Sequence, residues 1–177
     1  MRKELKLQQS SELAAPKSRA NTRKVGDDGE AFVASYLHDM DGRVVEIHPR
    51  TYRTLYIDGV PRQVSSDNDY HTCFDIKAEG PLDMIYAQVK VMPDSTVSSG
   101  HIADAKDKVD RAFPFSFPYL RIQVWQVWKE WVSRPGEHRH KEFRFRVWQR
   151  MGLANPVRKN GKRHGVWVEV TTMYQQP

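Results

Sequence analysis

The chain has 177 residues, a formal net charge of +6, 39% hydrophobic residues and one cysteine. That length suits a single domain with a sizeable core, and the basic balance points to an anionic partner, of which nucleic acid is the commonest. A lone Cys73 excludes an intramolecular disulfide framework and fits a reducing compartment; no run of about 18 apolar residues is present to span a membrane.

Residues 1–24 are polar and basic, through Arg2, Lys3, Lys6, Lys17, Arg19, Arg23 and Lys24. They lack a continuous apolar stretch before a small-residue cleavage site, so no secretory signal is expected and the expected location is cytoplasmic (the host cytoplasm if the chain is viral). The segment reads as an appended arm, either a flexible tail or peripheral helix or an arm that embraces DNA. Residues 25–177 read as one domain.

Asp27 and Asp28 predict the start of a helix that runs to about Met40 and stops at Asp41-Gly42. Phe32, Val33, Tyr36, Leu37 and Met40 form its apolar stripe, with Gly29 on the stripe and Glu30 at its border, where an ordinary surface Glu would also fit. A strand follows over residues 43–48 (RVVEIH). Residues 51–66 predict an inserted hairpin around Asp58-Gly59, and Pro61 assigns its second strand to an edge.

The central segment "DIKAEGPLDMIYAQVK" (75–90) carries the chemistry. CFDIKA (73–78) predicts a strand with Phe74, Ile76 and Ala78 on one face and Cys73, Asp75 and Lys77 on the other. Glu79-Gly80-Pro81 predicts a turn. In MIYAQVKV (84–91), Ile85, Ala87, Val89 and Val91 alternate with Met84, Tyr86, Gln88 and Lys90. The hairpin returns Asp75 towards Gln88 and Lys90. Burying three such groups beside Met and Tyr costs free energy unless they bind each other, a metal or a substrate.

A Pro/Ser loop then leads to a helix from about His101 to Phe113, broken in the region of Pro114 and Pro118. Strands are predicted over 119–128, 141–149 and 165–170. Helix, strand, inserted hairpin, strand pair, helix and three strands make an α/β (α+β) sheet with flanking helices. From Arg121 to His164 twelve Lys or Arg face three Glu. In EFRFRVWQR, Phe143, Phe145 and Val147 alternate with Arg144, Arg146, Trp148 and Arg150; such a basic face suits phosphate contact, or simple solvation. The loop 155–165 (NPVRKNGKRHG) reads the same way. His138 and His140 lack the accompanying ligands of a zinc site. The five tryptophans are expected mostly in the core or a dimer interface.

Glu30 on the first helix, Asp75, twelve intervening residues, then Gln88-Val89-Lys90 resemble the PD-(D/E)XK nuclease superfamily, and within it the archaeal-type Holliday junction resolvases, which also occur in phages. The likeness covers roughly residues 26–128, with the strand at 165–170. It implies a restriction-endonuclease-like mixed β-sheet flanked by helices, into which the 51–66 hairpin is inserted. It also implies a homodimer that cleaves branched DNA in recombination and repair. The usual carboxylate is replaced here by Gln88, as in some branches of the superfamily.

By the same resemblance Asp75, Gln88 and Glu30 would hold Mg²⁺, with Mn²⁺ substituting, and Lys90 would orient water or stabilise charge on the phosphate. Products would carry 5′-phosphate and 3′-hydroxyl groups. Arg50 and Arg53 follow the first strand, where the family tends to set a basic residue against phosphate. Asp69 and Asp83 are rival carboxylates at loop and turn positions. Three functions stay open: junction resolvase, less selective endonuclease on duplex or nicked DNA, and non-catalytic DNA-binding module.

Overall fold

The computed structural model describes residues 19–48, 51–57, 59–66, 70–95, 99–153 and 165–174. The first helix, α1 (Arg19–Asp41), begins eight residues before Asp27. Asp27 and Asp28 therefore lie inside the helix and do not cap it. Its end is as the sequence predicts: Gly42 takes φ 60° and donates its N–H to His38 O at 2.9 Å, a left-handed cap open to glycine without penalty.

Six strands form one mixed sheet. In chain order they are β1 (Val44–Ile47), β4 (Ile76–Glu79), β5 (Met84–Val91), β6 (Leu120–Val132), β7 (His140–Leu153) and β8 (Gly165–Glu169), and they are neighbours in that same order. All pairings are antiparallel except β5 with β6, which are parallel and joined across helix α2 (Ser99–Ala112). The inserted hairpin, β2 (Thr51–Ile57) and β3 (Val60–Ser66), makes a separate two-stranded sheet. Among the described residues Pro61 has only β2 beside it, in keeping with an edge proline. A short helix, α3 (Thr171–Tyr174), ends the described chain.

Strand alternation builds two cores, one on each face. Ile85, Ala87 and Val89 of β5 pack with Trp125, Val127, Phe145 and Val147 beneath Val33, Ala34 and Leu37 of α1. On the opposite face Ile122, Val124 and Trp148 meet Ile102, Ala105 and Val109 of α2. The molecule is thus α+β in three layers, α1 over the sheet over α2. No helix among the described residues is long and apolar enough to cross a membrane.

One expected strand face is overturned. Phe74 belongs to the α2 core, whereas Ile76 and Ala78 belong to the α1 core. The strand starts only at Ile76; before it His71 and Thr72 take φ 49° and 65°, and a Tyr70–Phe74 bridge closes the turn. Two consecutive left-handed residues rotate the chain, so simple alternation does not extend back to Phe74.

Gly29 sets how closely α1 approaches β5. A Cβ there would overlap Val91 Cγ2, whereas a Cβ on Gly26 would meet nothing. Gly26→Ala should therefore stabilise the protein by up to about 1 kcal/mol through helix propensity. Gly29→Ala should lose about 1–2 kcal/mol, because overpacking outweighs the same gain. Urea unfolding of the two variants tests this; equal shifts of the same sign would show that α1 does not pack as described.

Candidate active site

Asp75 stands at the point where β4 gives out. Its N–H donates to Ala87 O at 2.9 Å and its carbonyl accepts from His48 N at 3.0 Å, so its backbone is fixed between β5 and the end of β1. The carboxylate turns to β5. Oδ2 accepts the Val89 N–H at 2.7 Å and a short hydrogen bond from Gln88 Nε2. Asp75 and Gln88 are 8% and 2% exposed, so these bonds form where water scarcely competes.

The predicted juxtaposition of Asp75 with Gln88 is therefore observed. Gln88 uses its NH₂ on Asp75, and its Oε1 is buried with no hydrogen-bond partner among the described residues. A buried amide oxygen left unpaired costs about 1–3 kcal/mol, which marks this position as one where something else can bind.

Lys90 lies two residues further along β5 on the same face. It lines a cleft of about 490 Å³ with His101, Asp104, Lys108 and Arg111 of α2, beside Met92 and Pro93. The sequence pattern did not single out these α2 residues. They occupy one flank at helical spacing, a signal that becomes meaningful only once Lys90 is known to face α2. The Lys90 side chain makes no ion pair among the described residues.

Glu30 is 9% exposed, so it is no ordinary surface Glu. It follows Gly29, which lies against Val91 at the end of β5 on the α1 side of the sheet, whereas Gln88 and Lys90 are on the face towards α2. Of the rival carboxylates, Asp83 is engaged by Arg43 at 2.6 Å and Arg121 at 2.5 Å, and it holds the start of β5 instead of facing Gln88. Asp69 lies outside the described residues, as do Arg50 and the loop 154–164. Arg53 pairs with Val64 within the hairpin, and its side chain lies outside the described residues.

Strand register connects Lys90 to the basic strand. Lys90 is opposite Gln126, and Gln126 is opposite Arg146, so the three form a row across β5, β6 and β7 on one face. Two strand spacings put Arg146 roughly 10 Å from Lys90. Arg146 lies over the Trp128 ring (5.8 Å), whose buried Nε1–H finds no acceptor among the described residues. Arg144 is exposed and faces Glu130 and Glu142 at 3.6 and 3.5 Å.

Arg150 departs from the expected solvent-facing row: its side chain is 1% exposed and pairs with Asp110 at 3.2 Å, because the end of α2 covers that part of the face. Trp125, Trp128 and Trp148 are buried as expected, while Trp131 is 53% exposed between Arg139 and Lys141. His140 bonds to His138 O and to Glu142; the backbone carbonyl and then the carboxylate raise its pKa.

Among the described residues no group of three His, Cys, Asp or Glu converges. The Asp75–Gln88 pair instead offers two kinds of hard oxygen. Mg²⁺ is commonly held through one or two carboxylates, several waters and substrate phosphate, and this donor set is compatible with that mode. A cation shared by the pair would need the Gln88 amide turned, its oxygen replacing the NH₂ that Asp75 now accepts. Comparison with protein-family models gave no match, and no curated protein matched the chain.

Proposed function

We propose that this protein is a Mg²⁺-dependent DNA endonuclease of the restriction-endonuclease-like kind, selective for branched DNA and foremost for four-way junctions. The observation that carries the reading is the buried Oε1 of Gln88, without a partner among the described residues, beside the Asp75 carboxylate and two residues from the Lys90 cation. The sequence of elements supports it too: a helix bearing Glu30, a strand, the Asp75–Gln88 strand pair, a helix, then a strand parallel to β5.

Asp75 and Gln88 would hold the metal, with Glu30 contributing directly or through water, and Mn²⁺ would substitute. The bound cation would polarise the scissile phosphate and activate water. Lys90 would steady the attacking water or the charge gathering on phosphate oxygen. Arg146, in register with Lys90, would bind a neighbouring phosphate, and Arg144 would exchange its carboxylate partners for another. A junction presents two symmetry-related phosphates, and a two-fold dimer would supply two such sites.

A second reading draws on the Val89 N–H: in accepting it, Asp75 completes the strand ladder, a purely structural task that a non-catalytic DNA-binding module would also need. A Mg²⁺ titration separates the two. Cleavage of labelled four-way, splayed-arm and linear DNA is measured for the wild type, Gln88→Glu and Gln88→Ala. Gln88→Glu should keep catalysis and reach half-maximal rate at lower Mg²⁺, since a carboxylate attracts the cation more strongly than an amide. Gln88→Ala should lose most activity. Wild-type behaviour of Gln88→Ala would remove Gln88 from the site, and no cleavage by any of the three would favour the binding module.

A further inference from the structure

Residues 113–119 read FPFSFPY, with every aromatic separated by Pro or Ser. The run follows α2 and lies outside the strands, meeting the sheet where the Tyr119 carbonyl accepts the Met84 N–H at 2.8 Å. Phe113 is buried, but Phe115, Phe117 and Tyr119 are 56%, 41% and 58% exposed. Their rings stand in file: Phe115 and Phe117 are 6.4 Å apart with planes inclined by 28°, and Phe117 and Tyr119 are 5.8 Å apart at 25°. They edge a groove of about 430 Å³ floored by His71, Met84 and Tyr86.

Stacking of the three rings on one another is supported by a fastened backbone beneath them. Arg150 Nη1 donates to Phe113 O at 2.8 Å, and its Nη2 donates to Phe115 O in a short bond. A buried guanidinium thus holds the run from below. An exposed apolar patch of this kind marks a binding surface.

We propose that this run is a stacking platform for unpaired DNA bases adjoining the candidate metal site. One face of β5 carries Met84 and Tyr86 in the aromatic groove, then Gln88 against Asp75, then Lys90 in the cleft with His101, Asp104, Lys108 and Arg111, where the cations outnumber the one carboxylate. The rise along the strand from one end to the other is about 20 Å. Ring faces at one end of this strand face and a predominantly basic cleft at the other, on either side of the buried Asp75–Gln88 pair, are the make-up of a single-strand path, with bases on the rings and phosphates on the cations, indifferent to sequence. An apolar protein partner would satisfy the groove and leave the cleft unanswered. The choice of DNA as the nucleic acid, and of the cut strand as its source, rests on the nuclease reading. The substrate class becomes branched DNA with unpaired bases beside the scissile phosphate.

The test uses the full chain without metal and a labelled oligothymidine of about 12 nucleotides, within the usual single-strand site sizes, beside a duplex of equal length. Phe115→Leu with Phe117→Leu keeps apolar bulk on exposed positions and removes the rings. Single-strand affinity should fall at least about tenfold, with duplex affinity changed less than roughly twofold. Unchanged oligothymidine binding, or equal loss on both DNAs, overturns the platform. So does a drop in sedimentation mass at unchanged DNA affinity, which makes the groove an interface between copies.

Ring-dependent binding in a wild type that never cleaves DNA would support the platform and sink the nuclease reading. Intact cleavage with ring-independent binding would do the reverse.

Discussion

Asp75→Asn is expected to abolish metal-dependent cleavage while junction binding stays close to wild type. A metal contributes several kcal/mol of charge stabilisation in the transition state, so its loss should cost on the order of 10³-fold in rate. Binding rests on many phosphate contacts and should barely change. The variant is diagnostic because its fold should survive. With its oxygen in the place of Oδ2, the substituted amide would still accept both the Val89 N–H and the Gln88 NH₂, each bond weakened by the loss of charge. Stability within about 1 kcal/mol of wild type is therefore expected, the scale of one exchanged hydrogen bond.

Asp75→Ala would not make the same point, since the Val89 N–H and Gln88 NH₂ would both lose their acceptor. Asp83→Asn is the control for the rival carboxylate. It should weaken the hold of Arg43 and Arg121 on the start of β5 and lower stability without selectively removing cleavage. Rates measured on four-way junctions, with melting curves for each variant, decide between them. A fully active Asp75→Asn would mean that the metal is bound elsewhere.

The parts of this arrangement that were legible in the sequence are those governed by a fixed local period. The two-residue repeat from Met84 to Val91 assigns Gln88 and Lys90 to one face whatever lies beyond them, and the Asp75 pairing follows from the return of the strand. The helical repeat at Val33 and Leu37 likewise identified the buried side of α1.

What escaped depends on contacts distant in sequence or on unsignalled backbone. Nothing in His71-Thr72 announces two positive φ angles, since glycine and asparagine are the usual occupants. Without that turn Phe74 would share a face with Ile76. Asp27 resembles a cap, yet the Arg, Ala and Lys before it are good helix formers and extend α1 to Arg19. Glu30 sits at the border of a stripe, where only the packing of Gly29 on Val91 decides burial. The run from Phe113 to Tyr119 was legible as a break because of its prolines, but its aromatic alternation acquires meaning only from the arginine that fastens it.

That arginine supplies the largest expected effect on stability. Asp110→Ala should destabilise the protein by roughly 3–5 kcal/mol, because it strands the Arg150 charge in a place where its side chain is 1% exposed. For a chain of this size that is a fall in melting temperature of roughly 6–20 °C. An isolated buried pair can often be replaced by two apolar residues at little cost. Here the replacement should fail. Asp110 Oδ2 also accepts the Gly165 N–H at 2.8 Å and the Trp167 Nε1–H at 3.2 Å, while Arg150 serves the carbonyls of Phe113 and Phe115. Asp110→Leu with Arg150→Met would leave two donors and two acceptors without partners, each worth up to about 1–3 kcal/mol where water cannot reach. The double variant should thus remain near the less stable single one, and single-strand DNA affinity should fall with it as the aromatic run comes loose. Thermal melts of both singles and the double measure this directly. A double variant restored to wild-type stability would reduce the node to an ordinary ion pair and leave the aromatic run without its fastening.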